Sequence, residues 1–362
     1  MTEKDFVLNA ELELPKQGSY KWKAPSNIAL IKYWGKKPNQ IPANPSISFT
    51  LDACATTTTL TFKKLDKKAQ DYSFDLYFEG KKHDDFKPKI YSFFKRIECY
   101  LPFLRDYHFT IHTSNSFPHS SGIASSASGM AALSLGLMSI EREVNPKITI
   151  EYFLQKASFL ARLGSGSASR SIEGELIQWG RHNDITESSD LYGLTYPYKV
   201  HSVFKSYHDT ILLVHKGQKT VSSTVGHDLM HGHPFATARF EQAHENLTGL
   251  QDILANGDLK GFIKIVESEA LTLHAMMMAS LPYYILMKPN TLAIIEKIWA
   301  FRETTGSHVC FTLDAGANVH VLYPEKEKEI VIQFIQDELV AYCESGHYIC
   351  DRIGKGAKQL KV

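Results

Sequence analysis

At 362 residues and 40.9 kDa the chain is too long for one typical domain of about 100–200 residues and suits two. Forty Lys and Arg against thirty-nine Asp and Glu leave a formal charge of +1, which excludes a strongly basic nucleic-acid binder and a charge-driven membrane protein. With 43% hydrophobic and 22% charged residues, the composition is that of a globular chain, neither disordered nor fibrous.

The opening stretch MTEKDFVLNAELELPKQ holds no apolar signal core. Two uncharged stretches, 120–140 and 270–287, are too rich in small residues or too broken by His274, Pro282 and tyrosines to give the roughly 20 apolar residues of a spanning helix. The five cysteines (54, 99, 310, 343 and 350) form an odd set without a C-x-x-C pair and read as reduced thiols. A soluble, cytoplasmic protein is expected.

Strand patterns dominate the first half. Residues 46–52 and 56–62 are rich in Ser, Thr and β-branched or aromatic residues, and Phe74, Leu76, Phe78 and then Phe109, Ile111 alternate with polar neighbours. From 122 to 140 the pattern changes: Ala131, Ala132, Leu133, Leu135 and Leu137 predict a buried helix. A second helix is expected at 150–163, capped by Thr149 and stopped by Gly164. Residues 210–215 form a short apolar strand. Helices follow at 235–255 and 259–279 around an Asn256-Gly257-Asp258 turn, and at 290–303 between Pro289 and Gly306. Strands at 308–313 and 319–323 flank the loop 314–318. Strands first, then mixed helices and strands, predict an α+β chain in two lobes, 1–200 and 201–362.

Four segments carry possible chemistry. Residues 115–129, NSFPHSSGIASSASG, run from a Ser/Gly loop into a helix start, where unpaired N–H groups and serine hydroxyls can cradle phosphate. No lysine follows the second glycine, so this is not a G-x-x-x-x-G-K-[ST] loop, and a tightly packed helix start would look the same. Residues 164–170, GSGSASR, add hydroxyls, backbone donors and a guanidinium suited to a carboxylate or phosphate, although a flexible linker has similar composition. In 27–37, NIALIKYWGKK, strand alternation points Lys32 outward, yet a lysine in so apolar a run also fits a buried ion pair. In 312–318, TLDAGAN, Asp314 is either a turn-former or a catalytic carboxylate. The cluster His227-Asp-Leu-Met-His231-Gly-His233 superficially resembles an H-E-x-x-H zinc helix. Asp replaces the Glu, and Gly232 and Pro234 break the helix, so a helix-cap or surface role is expected.

Taken in order, NIALIKYWGK (27–36), NSFPHSSGIASSASG (115–129), GSGSASRS (164–171), VSST (221–224) and TLDAGAN (312–318) resemble the mevalonate diphosphate decarboxylase family, within the superfamily of galactokinase, homoserine kinase, mevalonate kinase and phosphomevalonate kinase. The resemblance spans nearly 300 residues. It implies a two-lobed small-molecule-kinase fold with its active site in the interlobe cleft. It further implies ATP-dependent decarboxylation of mevalonate 5-diphosphate to isopentenyl diphosphate, with magnesium and in a homodimer. By this likeness Asp314, Lys32 and Arg170 are catalytic. Asn27, Tyr33, Lys36, Ser165, Gly166, Ser167 and Ser223 bind substrate, and Asn115, Ser120, Ser121, Gly122, Ala124, Ser125 and Ser126 bind ATP. The magnesium ligands are left unassigned. Three departures from the family pattern, at Pro38, Pro45 and His119, bear on substrate choice. The rivals are a phosphomevalonate decarboxylase, a mevalonate 3-kinase and a catalytically silent binding protein of the same fold.

Overall fold

The computed structural model describes residues 1–8, 13–118, 123–217 and 221–362. Its first long strand, Gln17–Ile31, is half-exposed at its start and wholly buried over its last eight residues. It pairs antiparallel with Ser46–Lys64, a single 19-residue strand where two separate runs were expected. The strand bends where the two runs meet. There the Asp351 carboxylate accepts the N–H groups of Asp52, Ala53 and Cys54 at 3.0, 2.8 and 2.7 Å, so the backbone stays satisfied through the irregularity.

The remaining strands of this sheet extend from that pair. Its order is Lys358–Leu360, Gln17–Ile31, Ser46–Lys64, Tyr107–Asn115, Ser73–Phe78 and Lys81–Lys82, with Leu176–Trp179 pairing the first part of Ser46–Lys64 and carrying Leu194–Thr195. The pairing of Ser73–Phe78 with Tyr107–Asn115 is parallel. The second sheet is antiparallel, in the order Cys310–Thr312, Val319–Tyr323, His208–Leu212 and Tyr348–Arg352. We propose that the lobes divide near residue 200, where the chain changes sheets; the last strand then returns to the first sheet.

Helices Ser125–Val144 and Ile150–Gly164 cover the first sheet. Ala131, Ala132, Leu133, Leu135 and Leu137 are all buried, as their spacing predicts. Small residues allow the close approach: a Cβ at Gly136 would lie 3.1 Å from the Leu60 side chain. Thr149 caps the second helix by accepting the Tyr152 N–H at 3.1 Å. In the other lobe, Ala236–Asn256 ends at Gly257, whose φ of +77° a side chain would resist, and Asp258 caps the next helix, Leu259–Met278. Pro289–Thr305 completes this layer.

The buried ends of the first two strands do not pack on their own lobe alone. Ile28, Leu30, Ile47 and Phe49 join Leu247, Leu250 and Phe262 of the second lobe in one apolar cluster. Full burial of such side chains is worth about 1.5–3 kcal/mol each, so the residues that follow Ile31 rest on a core shared by both lobes. The five cysteines are unpaired. Among the described residues no helix is long and apolar enough to cross a membrane.

Candidate active site

A cavity of about 490 Å³ opens between the lobes. The first lobe contributes Asn27, Lys32, Tyr33, Lys36 and residues 164–167 with Arg170, and the second contributes residues 222–224, His227 and Asp314. Four segments far apart in sequence therefore meet at one site.

Lys32 follows the last residue of its strand. Two register shifts in the pairing with Ser46–Lys64, between Pro25 and Asn27 and between Ala29 and Ile31, break the alternation that would have turned it outward. Its side chain is 1% exposed, and Nζ lies 3.1 Å from Asp314 Oδ1. Burial lowers the Lys32 pKa, and the Asp314 charge opposes that shift. Asp314 comes from the turn after Cys310–Thr312, and its backbone carbonyl accepts from His274 Nε2 at 3.1 Å. The ion pair, with Lys32 buried and Asp314 partly exposed, thus joins the lobes at the cavity. Asn44 Nδ2 donates to the Lys32 carbonyl at 2.9 Å, so the Asn44-Pro45-Ser46 departure lies behind Lys32 rather than in the cavity lining.

Arg170 ends a short 3₁₀ turn, Gly166–Arg170, that begins just after helix Ile150–Gly164 stops. It is 3% exposed. Nε and Nη2 donate to Asn27 Oδ1 at 3.4 and 3.3 Å, whereas Nη1 has no partner among the described residues. Asn27 is itself held by donating to the Ser171 hydroxyl and the Ser167 carbonyl at 2.8 and 3.2 Å. Burial lowers the Arg170 pKa to about 10, which leaves it charged at neutral pH. A buried guanidinium that lines the cavity and keeps one unpartnered N–H group suits an anionic ligand. Tyr33 is kept a neutral phenol by burial, which raises its pKa. Gly166 must lack a side chain, since a Cβ there would sit 2.7 Å from the Tyr33 hydroxyl.

Ser125 and Ser126 open helix Ser125–Val144, after Ala124 in the left-handed region at φ +46°. Among the described residues no side chain caps this helix, so its first N–H groups and positive dipole end suit a phosphate. Ser126 Oγ lies 3.1 Å from Ser165 Oγ, linking this start to the 164–167 loop. Asn115 stands apart from the cavity lining: its Oδ1 accepts the Thr56 hydroxyl at 2.7 Å. Ser120, Ser121, Gly122 and His119 lie outside the described residues. Ser222 spends its hydroxyl capping Ser223–Asp228, and the neighbouring Ser223 lines the cavity.

Several lining residues, Lys89 and His227 among them, have no site role in the sequence reading. Lys89, near the start of helix Lys87–Ile97, adds a cation at the rim. His227, expected to cap a helix or face solvent, is buried against Tyr33 and Trp34. The zinc pattern does not form. His233 Nδ1 accepts the Phe235 N–H and its Nε2 donates to the Met276 carbonyl, and among the described residues no group of three or more His, Cys, Asp or Glu could hold a metal.

Two α+β lobes enclosing a helix N-terminus, Ser/Gly loops and an Asp–Lys pair define a small-molecule phosphoryl-transfer enzyme of the kinase-superfamily fold. Residues 24–190 match the family model of the diphosphomevalonate decarboxylase-like N-terminal domain, and 210–357 that of the mevalonate 5-diphosphate decarboxylase C-terminal domain. The chain belongs to the diphosphomevalonate decarboxylase family. It is 30% identical to the diphosphomevalonate decarboxylase of Ganoderma lucidum over 328 residues, covering 85% of this chain and 79% of that protein. The mevalonate diphosphate decarboxylase of Staphylococcus aureus superposes with a TM-score of 0.80 at 28% identity, covering 95% of this chain and 98% of that one. A complex of the protein termed MDDEF with MVAPP, AMPPCP and magnesium superposes with a TM-score of 0.78 at 26% identity, covering 96% of this chain and all of that one.

Proposed function

We propose that the cleft carries out ATP-dependent decarboxylation of mevalonate 5-diphosphate to isopentenyl diphosphate, phosphate and carbon dioxide, with Asp314 acting on the 3-hydroxyl. The observation that carries this reading is the pairing of buried Lys32 with the partly exposed Asp314, one residue from each lobe, beside the unpartnered N–H group of Arg170. A tertiary hydroxyl is a poor leaving group. When bound, ATP and its magnesium supply the phosphoryl group that makes it a good one. Asp314 orients the hydroxyl and accepts its proton as the oxygen attacks, a contribution worth roughly 10²–10⁴ in rate. Lys32 balances the carboxylate. Arg170 holds the substrate carboxylate until its C–C bond breaks; that electron pair then forms the new double bond as phosphate leaves.

Tyr33, Lys36, Ser165, Gly166, Ser167 and Ser223 hold the substrate diphosphate. The start of helix Ser125–Val144, with Ala124, Ser125 and Ser126, fits the ATP phosphates; the family resemblance assigns Ser120, Ser121 and Gly122 to the same site, and Asn115 supports it only through Thr56, whose hydroxyl also meets Ser128 on that helix. Asp314 is the acidic residue among those lining the cavity, so magnesium would rest mainly on phosphate oxygens, with the Ser126 hydroxyl in reach of the same ground. Fixed donors and charges, rather than covalent chemistry by the protein, supply the acceleration. Within the same proposal the chain is a cytoplasmic homodimer, which sedimentation velocity and cell fractionation check.

The deciding measurement is kcat/KM for mevalonate 5-diphosphate against the 5-phosphate at fixed ATP, magnesium and salt, with released carbon dioxide and phosphate both counted. The diphosphate is expected to win, because Tyr33, Lys36, Ser165 and Ser167 would be left with unmet donors by a smaller anion. A ratio favouring the monophosphate would make the chain a phosphomevalonate decarboxylase. Phosphate transfer without carbon dioxide would make it a 3-kinase, and no nucleotide turnover a silent binding protein.

Arg170→Lys tests the anion clamp. It keeps the charge but cannot hold Asn27 and the ligand with one planar fork. A loss of at least about tenfold in kcat/KM is expected, equivalent to about 1.4 kcal/mol. Unchanged efficiency would assign Arg170 a structural part only.

A further inference from the structure

His227 sits at the end of a short helix, Ser223–Asp228, and its imidazole packs between Tyr33 and Trp34 with ring centroids 4.3 and 4.6 Å away. The Gly35 N–H donates to Nδ1 at 3.0 Å. A backbone N–H can only donate, so Nδ1 must keep its lone pair and the ring proton must be on Nε2. That Nε2–H has no hydrogen-bond partner among the described residues, although the residue lines the cavity. The two rings and Gly35 therefore fix a single donor beside Lys36 and Arg170.

We propose that His227 is a substrate-binding residue whose Nε2–H donates to the terminal phosphate of the diphosphate and helps the cleft prefer it over a monophosphate. This inference rests on the reading of the cleft as a diphosphate site. The surroundings keep the donor in one state. Burial, with Lys36 and Arg170 nearby, lowers the His227 pKa to about 3, so the ring is neutral throughout the working range. A bound phosphate cannot readily protonate Nδ1 either, because the Gly35 N–H occupies it. The ring thus acts as a rigid hydrogen-bond donor rather than as a third mobile cation, and geometry rather than net charge decides which phosphate it meets.

Two substitutions separate the ring's two nitrogens. In His227→Asn the amide oxygen can replace Nδ1 as acceptor for Gly35, but nothing replaces Nε2–H. In His227→Gln the amide reaches the Nε2 position and the Gly35 acceptor is lost. The Asn variant is expected to raise KM for mevalonate 5-diphosphate by about tenfold, with a smaller change for the monophosphate and little change in kcat, since the contact lies away from the reacting carbon. The Gln variant is expected to stay within about threefold of wild type. An Asn variant that keeps both KM values, or a Gln variant impaired more than Asn, would overturn the proposal and leave the ring a support for the Gly35 turn. Should the Asn variant not fold, ¹⁵N spectra of the wild-type imidazole decide the matter. The Nε2–H resonance must shift on adding mevalonate 5-diphosphate or inorganic pyrophosphate, and a static resonance rejects the contact. If wild type does not turn over the diphosphate, the reading of the cleft fails; if it does and the Asn variant keeps its preference, the His227 assignment alone fails.

Discussion

Asp314→Asn is expected to lower turnover by roughly 10²–10⁴-fold while binding of ATP changes little, because the lost group acts on the transferring oxygen and not on the nucleotide. Asn is nearly isosteric with Asp, so the turn after Cys310–Thr312 and the Asp314 carbonyl's bond to His274 should survive. The change also leaves Lys32 without its 3.1 Å partner. Burial already lowers the Lys32 pKa, and removing Asp314 removes the negative charge that chiefly opposes that shift. Lys32 should then titrate at lower pH than in wild type, and its deprotonation limits the loss of stability that a stranded buried charge would otherwise cause. The variant should therefore be inactive but folded, with circular dichroism near that of wild type and an unchanged affinity for a non-hydrolysable ATP analogue. Near-normal turnover in such a folded variant would remove Asp314 from the mechanism.

The site was more legible than its supports. Phosphate chemistry leaves short local marks, such as small residues, clustered hydroxyls and a helix start, and these made residues 115–129 and 164–170 candidates, while Ser223 came only from the family resemblance; 124–126, 164–167, Arg170 and Ser223 all line the cavity. Helix limits were close for the same reason: Thr149, Gly257 and Gly306 act within one turn of chain. Lys32 was ambiguous because alternation assumes an unbroken register, and two shifts precede it. The two runs at 46–52 and 56–62 looked separate because the carboxylate that holds the bend between them comes from Asp351, about 300 residues away in sequence. His227 was passed over because its neighbours in sequence suggested zinc, whereas its neighbours in space are Tyr33, Trp34 and Gly35. A pattern read along the chain cannot report which backbone N–H will meet a ring nitrogen 192 residues distant.

Glu269 and Arg239 extend that lesson, since neither carried any motif. Glu269 Oε2 accepts the Lys32 N–H at 2.8 Å, and Arg239 Nη2 and Asn44 Nδ2 donate to the Lys32 carbonyl at 3.2 and 2.9 Å. The two side chains pair with each other at 2.5 and 3.0 Å, and Asn246 adds a bond to Glu269 at 2.7 Å. Both are essentially excluded from solvent, Glu269 fully and Arg239 at 2% exposure. The pair therefore grips the Lys32 peptide from both sides, just beyond the end of its strand, where no ladder hydrogen bonds remain to do so. Glu269→Leu alone is expected to destabilise the protein by about 3–5 kcal/mol, because it strands the Arg239 charge in the interior. Arg239→Met combined with Glu269→Leu removes that stranded charge and should recover much of the loss, as apolar replacements of buried ion pairs often do. Turnover should not recover with it. The double variant leaves the Lys32 N–H unmet and the peptide free to shift, and a small displacement of a reacting group's partner is costly in rate. Thermal melts and steady-state kinetics on the single and double variants, taken well below the melting point, separate the two effects. The expected pattern is a recovered Tm with kcat still reduced by at least about tenfold and substrate KM moved less. A stable double variant with wild-type kcat would mean that Asp314 and the strand end position Lys32 without the pair.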